Sequence, residues 1–153
     1  TLFRSLILSF YGGSQMDISD NFKDIILKEI NYATTKIQEG KTPEEKLYNF
    51  SAIHGMIQRI FNIEYNAELI YTFLILRETY NAFSSRLQAI KAGQKEIPIY
   101  NEQFEKLIVI LRELAGKIKQ KEDIDDTLKK LLILSYTTTG NGYYLFQKGL
   151  LKI

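Results

Sequence analysis

Residues 66–92 form the stretch that most restricts how this chain can fold. These 27 residues contain no proline and no glycine, and Gly93 follows them directly. In the second half of the stretch, apolar side chains recur every three or four positions, at Leu76, Tyr80, Phe83, Leu87 and Ile90. This spacing predicts a single α-helix about 40 Å long.

The first half of the same stretch is apolar on every side. Between Leu69 and Leu76 only Thr72 interrupts a run of apolar and aromatic residues. A helix that is apolar all round is expected to be buried all round. We therefore expect an all-α fold: a single-domain, mostly antiparallel bundle of five or six helices around this long central helix, about residues 66–92.

Two further helices are predicted before the central one. The first begins at Ser19 or Asp20, either of which can cap it, and ends at Gly40. The second begins with Thr42-Pro43-Glu44-Glu45, which is typical of a capping box with proline at the first helical position. Asn66 then caps the central helix after a short connection at 62–65.

Two helices are predicted after the central one. Gly93 is expected to end the central helix with a positive φ, and residues 94–100 are expected to be an extended connector fixed by Pro98. Asn101 is the predicted cap of the next helix. The fifth helix begins in the acidic segment 123–126, where negative charge is favourable to the helix dipole.

The two ends of the chain are interpreted separately. Gly12, Gly13 and Ser14 interrupt the apolar start, so residues 1–15 are expected to be an N-terminal arm and residues 16–153 the helical bundle domain. The tail 143–153 is apolar and aromatic, and we expect it to pack as a sixth helix rather than as a hairpin strand.

Composition excludes several classes of protein. The chain has no cysteine, so disulfides, thiolate metal sites and cysteine nucleophiles are excluded. Its 20 basic and 18 acidic residues, a net charge of +2, do not describe a nucleic-acid binder as a whole. No apolar run approaches the ~20 residues of a membrane span, so no membrane partner is expected. We expect a cytoplasmic protein.

The sequence contains no motif that predicts catalysis. It lacks the nucleophile elbow, the phosphate loop and the dinucleotide fingerprint. His54 is the single histidine and lies on the apolar stripe of the second helix, so we expect a buried, hydrogen-bonded core residue. We predict no enzyme activity, no catalytic, cofactor-binding or metal-binding residue, no cofactor and no small-molecule substrate.

One metal-binding alternative was weighed against that interpretation. Glu64 and Glu68 share a helix face and could approach His54 across a tight helical hairpin. A solvated acidic edge is the favoured interpretation of the two carboxylates.

Protein association is the function that the sequence favours. The arm 1–15, the stripe of the second helix and the tail 143–153 offer more apolar surface than the helices can obviously bury. We therefore expect a scaffold or adaptor that associates with itself or with a protein partner, homo-oligomerisation being the first expectation.

The alternative is a nucleic-acid-associated helical subunit of a larger complex. The candidate residues are cations and stacking aromatics near the C-terminus, namely Lys117, Lys119, Lys121, Lys129, Lys130, Lys148 and Lys152 with Tyr143 and Tyr144. Asp123, Asp125 and Asp126 lie in the same stretch and offset their field.

Overall fold

The computed structural model describes residues 18–93 and 97–139. These residues form five α-helices and no strand, which confirms the predicted all-α bundle with a long helix at about 66–92. The helices are α1 (Asp20–Glu39), α2 (Pro43–Ile63), α3 (Ala67–Lys91), α4 (Ile97–Lys119) and α5 (Asp125–Thr139). The predictions for the arm 1–15 and the tail 143–153 lie outside the described residues.

The start of α2 follows the predicted capping signal. The Thr42 hydroxyl accepts a hydrogen bond from the Glu45 amide at 3.2 Å, and Pro43 occupies the first turn. The Glu45 carboxylate reaches back to accept from the Lys41 amide at 2.9 Å. The first contact satisfies one of the amides that a helix start leaves without a partner, and the second holds the residue before the cap in place.

The ends of α3 are also as predicted. The Asn66 side chain accepts from the Leu69 amide at 2.9 Å, and Gly93 follows the helix with a φ of +110°, a backbone conformation that glycine tolerates best. The expected burial on all sides is wrong, however, because Leu74 is 55% exposed while Leu69 and Leu76 are fully buried. The helix packs mainly on α2 and α5, and its outer face is left to solvent.

The start of α4 differs from the prediction. The helix already includes Ile97, so the segment up to Tyr100 is helical rather than extended and Asn101 is not its cap. Proline is compatible with the first turn of a helix, where its missing N–H would have no intrahelical partner. Pro98 therefore lies inside the helix start.

The five described helices pack as a closed ring in the order α1, α2, α3, α5, α4 and back to α1. Lys91, at the end of α3, pairs with Glu44 at the start of α2 at 2.9 Å, while Phe73 meets Phe61 towards the other end, so these helices are antiparallel. The pairs α1–α2, α1–α4 and α4–α5 are antiparallel as well. Helix direction cannot alternate all the way round a ring of five, so the fifth pair, α3 and α5, runs in the same direction.

The core fills the inside of this ring with aromatic side chains. Phe83 of α3 lies 4.7 Å from Phe104 of α4 and 6.2 Å from Phe50 of α2, measured between ring centroids. Tyr100 is buried beside them, and its hydroxyl donates to the Phe83 carbonyl at 2.8 Å. Tyrosine thus contributes its ring to the core while its polar group finds a partner.

Small polar side chains join α3 to α5. The Ser135 hydroxyl donates to the Leu131 carbonyl at 2.9 Å and lies within hydrogen-bond distance, 3.0 Å, of the Thr79 hydroxyl; Ser135 and Thr79 are both buried. Such short side chains allow two helices to pack closely while every hydroxyl keeps a partner. Within residues 18–93 and 97–139, no helix combines the length and the apolar character that crossing a bilayer requires.

Candidate functional site

The structure does not assemble the metal site weighed from the sequence. Glu64 ends α2, and its carboxylate accepts from the Ser19 amide at 3.1 Å. Glu68 is buried in the first turn of α3, so the acidic edge is not fully solvated as expected. Among the described residues, no group of three or more histidine and carboxylate side chains could hold a metal ion.

His54 packs against the core but is only partly buried, not fully buried as predicted, and the predicted hydrogen bond is not found among the described residues. Its ring packs between α2 and α3, with its centroid 5.0 Å from that of Tyr80 and 6.1 Å from that of Phe73. Both ring nitrogens are buried and neither has a hydrogen-bond partner in the described part of the chain. Burial lowers the pKa of His54, and the positive charge of Arg77 lowers it further. The imidazole is therefore held in its neutral form.

Two of the described lysines considered for nucleic-acid binding, Lys119 and Lys130, lie at different grooves of the bundle. Lys130 donates to the Glu113 carboxylate at 2.8 Å, and Thr127 donates to the other oxygen of that group at 2.8 Å. Lys119 is exposed beside α1. Of the remaining candidates, Lys148, Lys152, Tyr143 and Tyr144 lie outside the described residues.

A different surface stands out on α4. Eight of its exposed residues recur at three- and four-residue spacing along the side that faces away from the core, a set that we call the α4 strip. They are Ile99, Glu102, Glu105, Lys106, Val109, Arg112, Gly116 and Lys119. Positions 102, 109 and 116 are each two helical turns apart and lie almost in line. Val109 is at the centre of the strip and is 68% exposed.

Two grooves flank the α4 strip. The groove between α4 and α5 has a volume of about 640 Å³, and its apolar lining combines Val109 of the strip with Ile110, Ile133 and Leu134. The groove between α1 and α4 has a volume of about 460 Å³, and its apolar lining includes Leu27 and Ala115. The strip is therefore a ridge between two partly apolar depressions.

The helices beside the first groove are fixed at both ends. At one end, the Gln103 amide donates to the hydroxyls of Thr138 at 2.8 Å and Thr137 at 3.1 Å. At the other end, Glu113 accepts from Lys130, a contact that is the main cause of the lowered pKa of Glu113. Polar contacts at both ends hold α4 and α5 in register, so the groove between them is preformed.

The charges on the α4 strip are ordered along the helix. Glu102 and Glu105 lie before Val109, with Lys106 beside them, whereas Arg112 and Lys119 lie after it. The first half is thus net acidic and the second half basic. Arg112 also donates to the Gln38 side chain of α1 at 2.7 Å. A ridge with an apolar centre and opposite charges at its two ends is suited to contact with another helix.

The sequence contained one signal for this surface. Residues 107–111 are five consecutive apolar residues, more than one helix face can bury. Since the core takes Leu107 and Leu111, an apolar residue between them must point outwards. Val109 is that residue, and its spacing could have marked α4 as the helix with an exposed apolar face.

Comparison with models of protein families, with curated proteins and with solved structures found no match in any of the three. Fold and surface together describe an all-α bundle with one charge-ordered, partly apolar helix face.

Proposed function

We propose that this protein acts by protein–protein association, as a non-enzymatic cytoplasmic scaffold or adaptor, and that the α4 strip is its contact surface. The single observation that carries the proposal is the 68% exposure of Val109 on the wall of the groove between α4 and α5, beside the apolar side chains of Ile110, Ile133 and Leu134. Contact with a partner helix would remove this apolar surface from water.

Ordered charges around an apolar centre support the same proposal. Interfaces commonly combine a desolvated apolar centre with a polar rim that sets orientation. Glu105 and Arg112 occupy such rim positions on either side of Val109. Self-association is the first case to test, because it needs no other molecule.

The experiment compares Val109→Glu with a matched control, Leu74→Glu. Leu74 is 55% exposed on α3, so both variants place a carboxylate at an exposed apolar position of a helix. Sedimentation velocity and native mass spectrometry are measured on the protein purified gently from its source. We expect the wild type and Leu74→Glu to form complexes and Val109→Glu to be monomeric at 17.8 kDa. A wild type without any protein partner, or equal loss in both variants, would refute the proposal.

A nucleic-acid-associated subunit is the second candidate function. The observation in its favour is the groove between α1 and α4, which carries Lys28, Arg112 and Lys119 against one carboxylate, Asp24, already paired with Lys28 at 2.8 Å. Binding of RNA or DNA that weakens steeply with salt and is lost in a Lys28→Glu/Lys119→Glu variant would support it. Binding that does not depend on salt, or no binding at all, would refute this second candidate function.

A further inference from the structure

The order of charges on the α4 strip is complementary to the same strip in reverse. Reading from Glu102 to Lys119, the strip changes from net acidic to basic across Val109. Two copies side by side in the same direction would place acid against acid and base against base. Two copies in opposite directions place each acidic end against a basic end.

We propose that the partner bound at the α4 strip is a second copy of this chain, with its α4 antiparallel and related by a two-fold axis close to Val109. The inference rests on the proposed function, since it specifies the occupant of the same surface. In a two-fold contact of this kind, every pairing between different residues occurs twice.

The register follows from helix geometry. Glu105 and Arg112 are seven residues apart, which is about 10.5 Å along the helix and almost two full turns, so both lie on the same side of the strip. A two-fold axis between positions 108 and 109 puts Glu105 of one copy level with Arg112 of the other. The same operation puts Arg112 of the first copy level with Glu105 of the second.

Two further positions of the strip, Val109 and Gly116, fit this register. The two Val109 side chains meet near the axis, at the centre of the contact, where their apolar surface is removed from water. Gly116 of one copy lies near the level of Glu102 of the other, and the space above its Cα is open, with no heavy atom within 4 Å of an added Cβ. Opposed helix dipoles are also favourable in this arrangement.

Arg112 can make the contact without losing its present one. One guanidinium nitrogen donates to the Gln38 side chain at 2.7 Å, and the group has five N–H donors. Glu105 is exposed. Both charges are thus available at the edge of an apolar centre, where charge pairs specify orientation and register more than affinity.

Charge reversal tests the pairing. In Glu105→Arg, two arginines face each other at both equivalent positions of the dimer, and in Arg112→Glu two glutamates do so. We expect each variant to dimerise at least about tenfold more weakly than the wild type at low ionic strength. The difference should shrink in ~1 M NaCl, where the Debye length is about 3 Å.

Mixing the two variants is the decisive step. In a heterodimer of Glu105→Arg with Arg112→Glu, one position pairs the two new charges and the other pairs the two original ones, so both attractions are restored. Native mass spectrometry, with one variant isotope-labelled, should show the heterodimer in excess over either homodimer. The double variant Glu105→Arg/Arg112→Glu should also recover wild-type dimerisation.

Controls separate folding and register from the proposed function itself. Thermal melting by circular dichroism checks that each variant is folded, and the pair Arg59→Glu and Glu78→Arg, exposed on α2 and α3, should leave dimerisation unchanged. No recovery on mixing, while Val109→Glu still abolishes the dimer, would overturn the antiparallel register and leave the association surface standing. A monomeric wild type, or one that carries a different protein on the strip, would overturn the inference of a second copy.

Discussion

Acid is expected to destabilise this protein through His54. Both nitrogens of its ring are buried without a hydrogen-bond partner among the described residues, and the ring packs against Tyr80 and Phe73. Burial and the charge of Arg77 lower its pKa from the ordinary value of 6.5. The folded protein therefore takes up the proton at a lower pH than the unfolded chain does.

The sign of the pH effect follows directly. Well above pH 6.5, the histidine is neutral in both states and its titration does not affect stability. As the pH falls below that value, the unfolded chain gains a proton that the folded protein does not, so the free energy of unfolding decreases. The decrease continues until the pH passes the lowered pKa of the folded state.

Two variants separate the titration from the cost of burying a polar ring. His54→Phe removes both nitrogens and keeps an aromatic ring against Tyr80, so we expect it to gain about 1 kcal/mol at pH 8, the lower end of the cost of an unsatisfied buried polar group. That corresponds to a rise in Tm of roughly 2–4 °C for a domain of this size. His54→Gln keeps a buried polar group without a titration and should show no such gain.

The assay is urea denaturation followed by circular dichroism between pH 8 and pH 5. All other titrating groups are shared with the wild type, so their contribution cancels in the difference between the proteins. The advantage of His54→Phe over the wild type should widen as the pH falls below 6.5. A constant difference, or a wild type that becomes relatively more stable in acid, would refute the argument.

Two further substitutions have expected outcomes measurable in the same assay. Lys121 has a φ of +58° in the turn after α4, where the Glu122 amide donates to the Lys117 carbonyl at 2.8 Å. Glycine adopts this conformation with less strain, so Lys121→Gly should stabilise the folded protein by about 1 kcal/mol. A loss of stability would contradict this and show that the lysine side chain makes a compensating contact. Tyr100→Phe should cost about 1 kcal/mol, because it removes the buried hydrogen bond to the Phe83 carbonyl; an unchanged midpoint would contradict this.

Features set by neighbouring residues were predictable from the sequence. Thr42 and Asn66 cap their helices through amides three residues away, and Gly93 ends α3 as expected. These interactions involve contiguous residues, so spacing alone identifies them. Pro98 shows the limit even of local patterns, since proline is compatible both with an extended connector and with the first turn of a helix.

Features set by the packing of distant helices were not predictable in the same way. The apolar run of α3 gave no indication that Leu74 would face solvent, because that depends on which two helices become its neighbours. The exposure of the α4 strip depends on the same choice, since among the described helices α1 and α5 are the main neighbours of α4 and leave its opposite side uncovered. The apolar stripe correctly predicted that His54 packs against α3, but it could show neither that the residue is only partly buried nor whether a partner reaches its nitrogens.

The parallel pairing of α3 with α5 has a consequence for how the chain folds. The contacts α1–α2, α2–α3 and α4–α5 join helices that are consecutive in sequence, and such local contacts form quickly. Closing the ring also requires contact between Ser135 and Thr79, which lies 56 residues earlier in the sequence with all of α4 between them. This contact and the α1–α4 contact, where Arg112 meets Gln38 74 residues earlier, carry the largest loop-closure entropy, and through them two rapidly formed helical units combine into one cooperative structure.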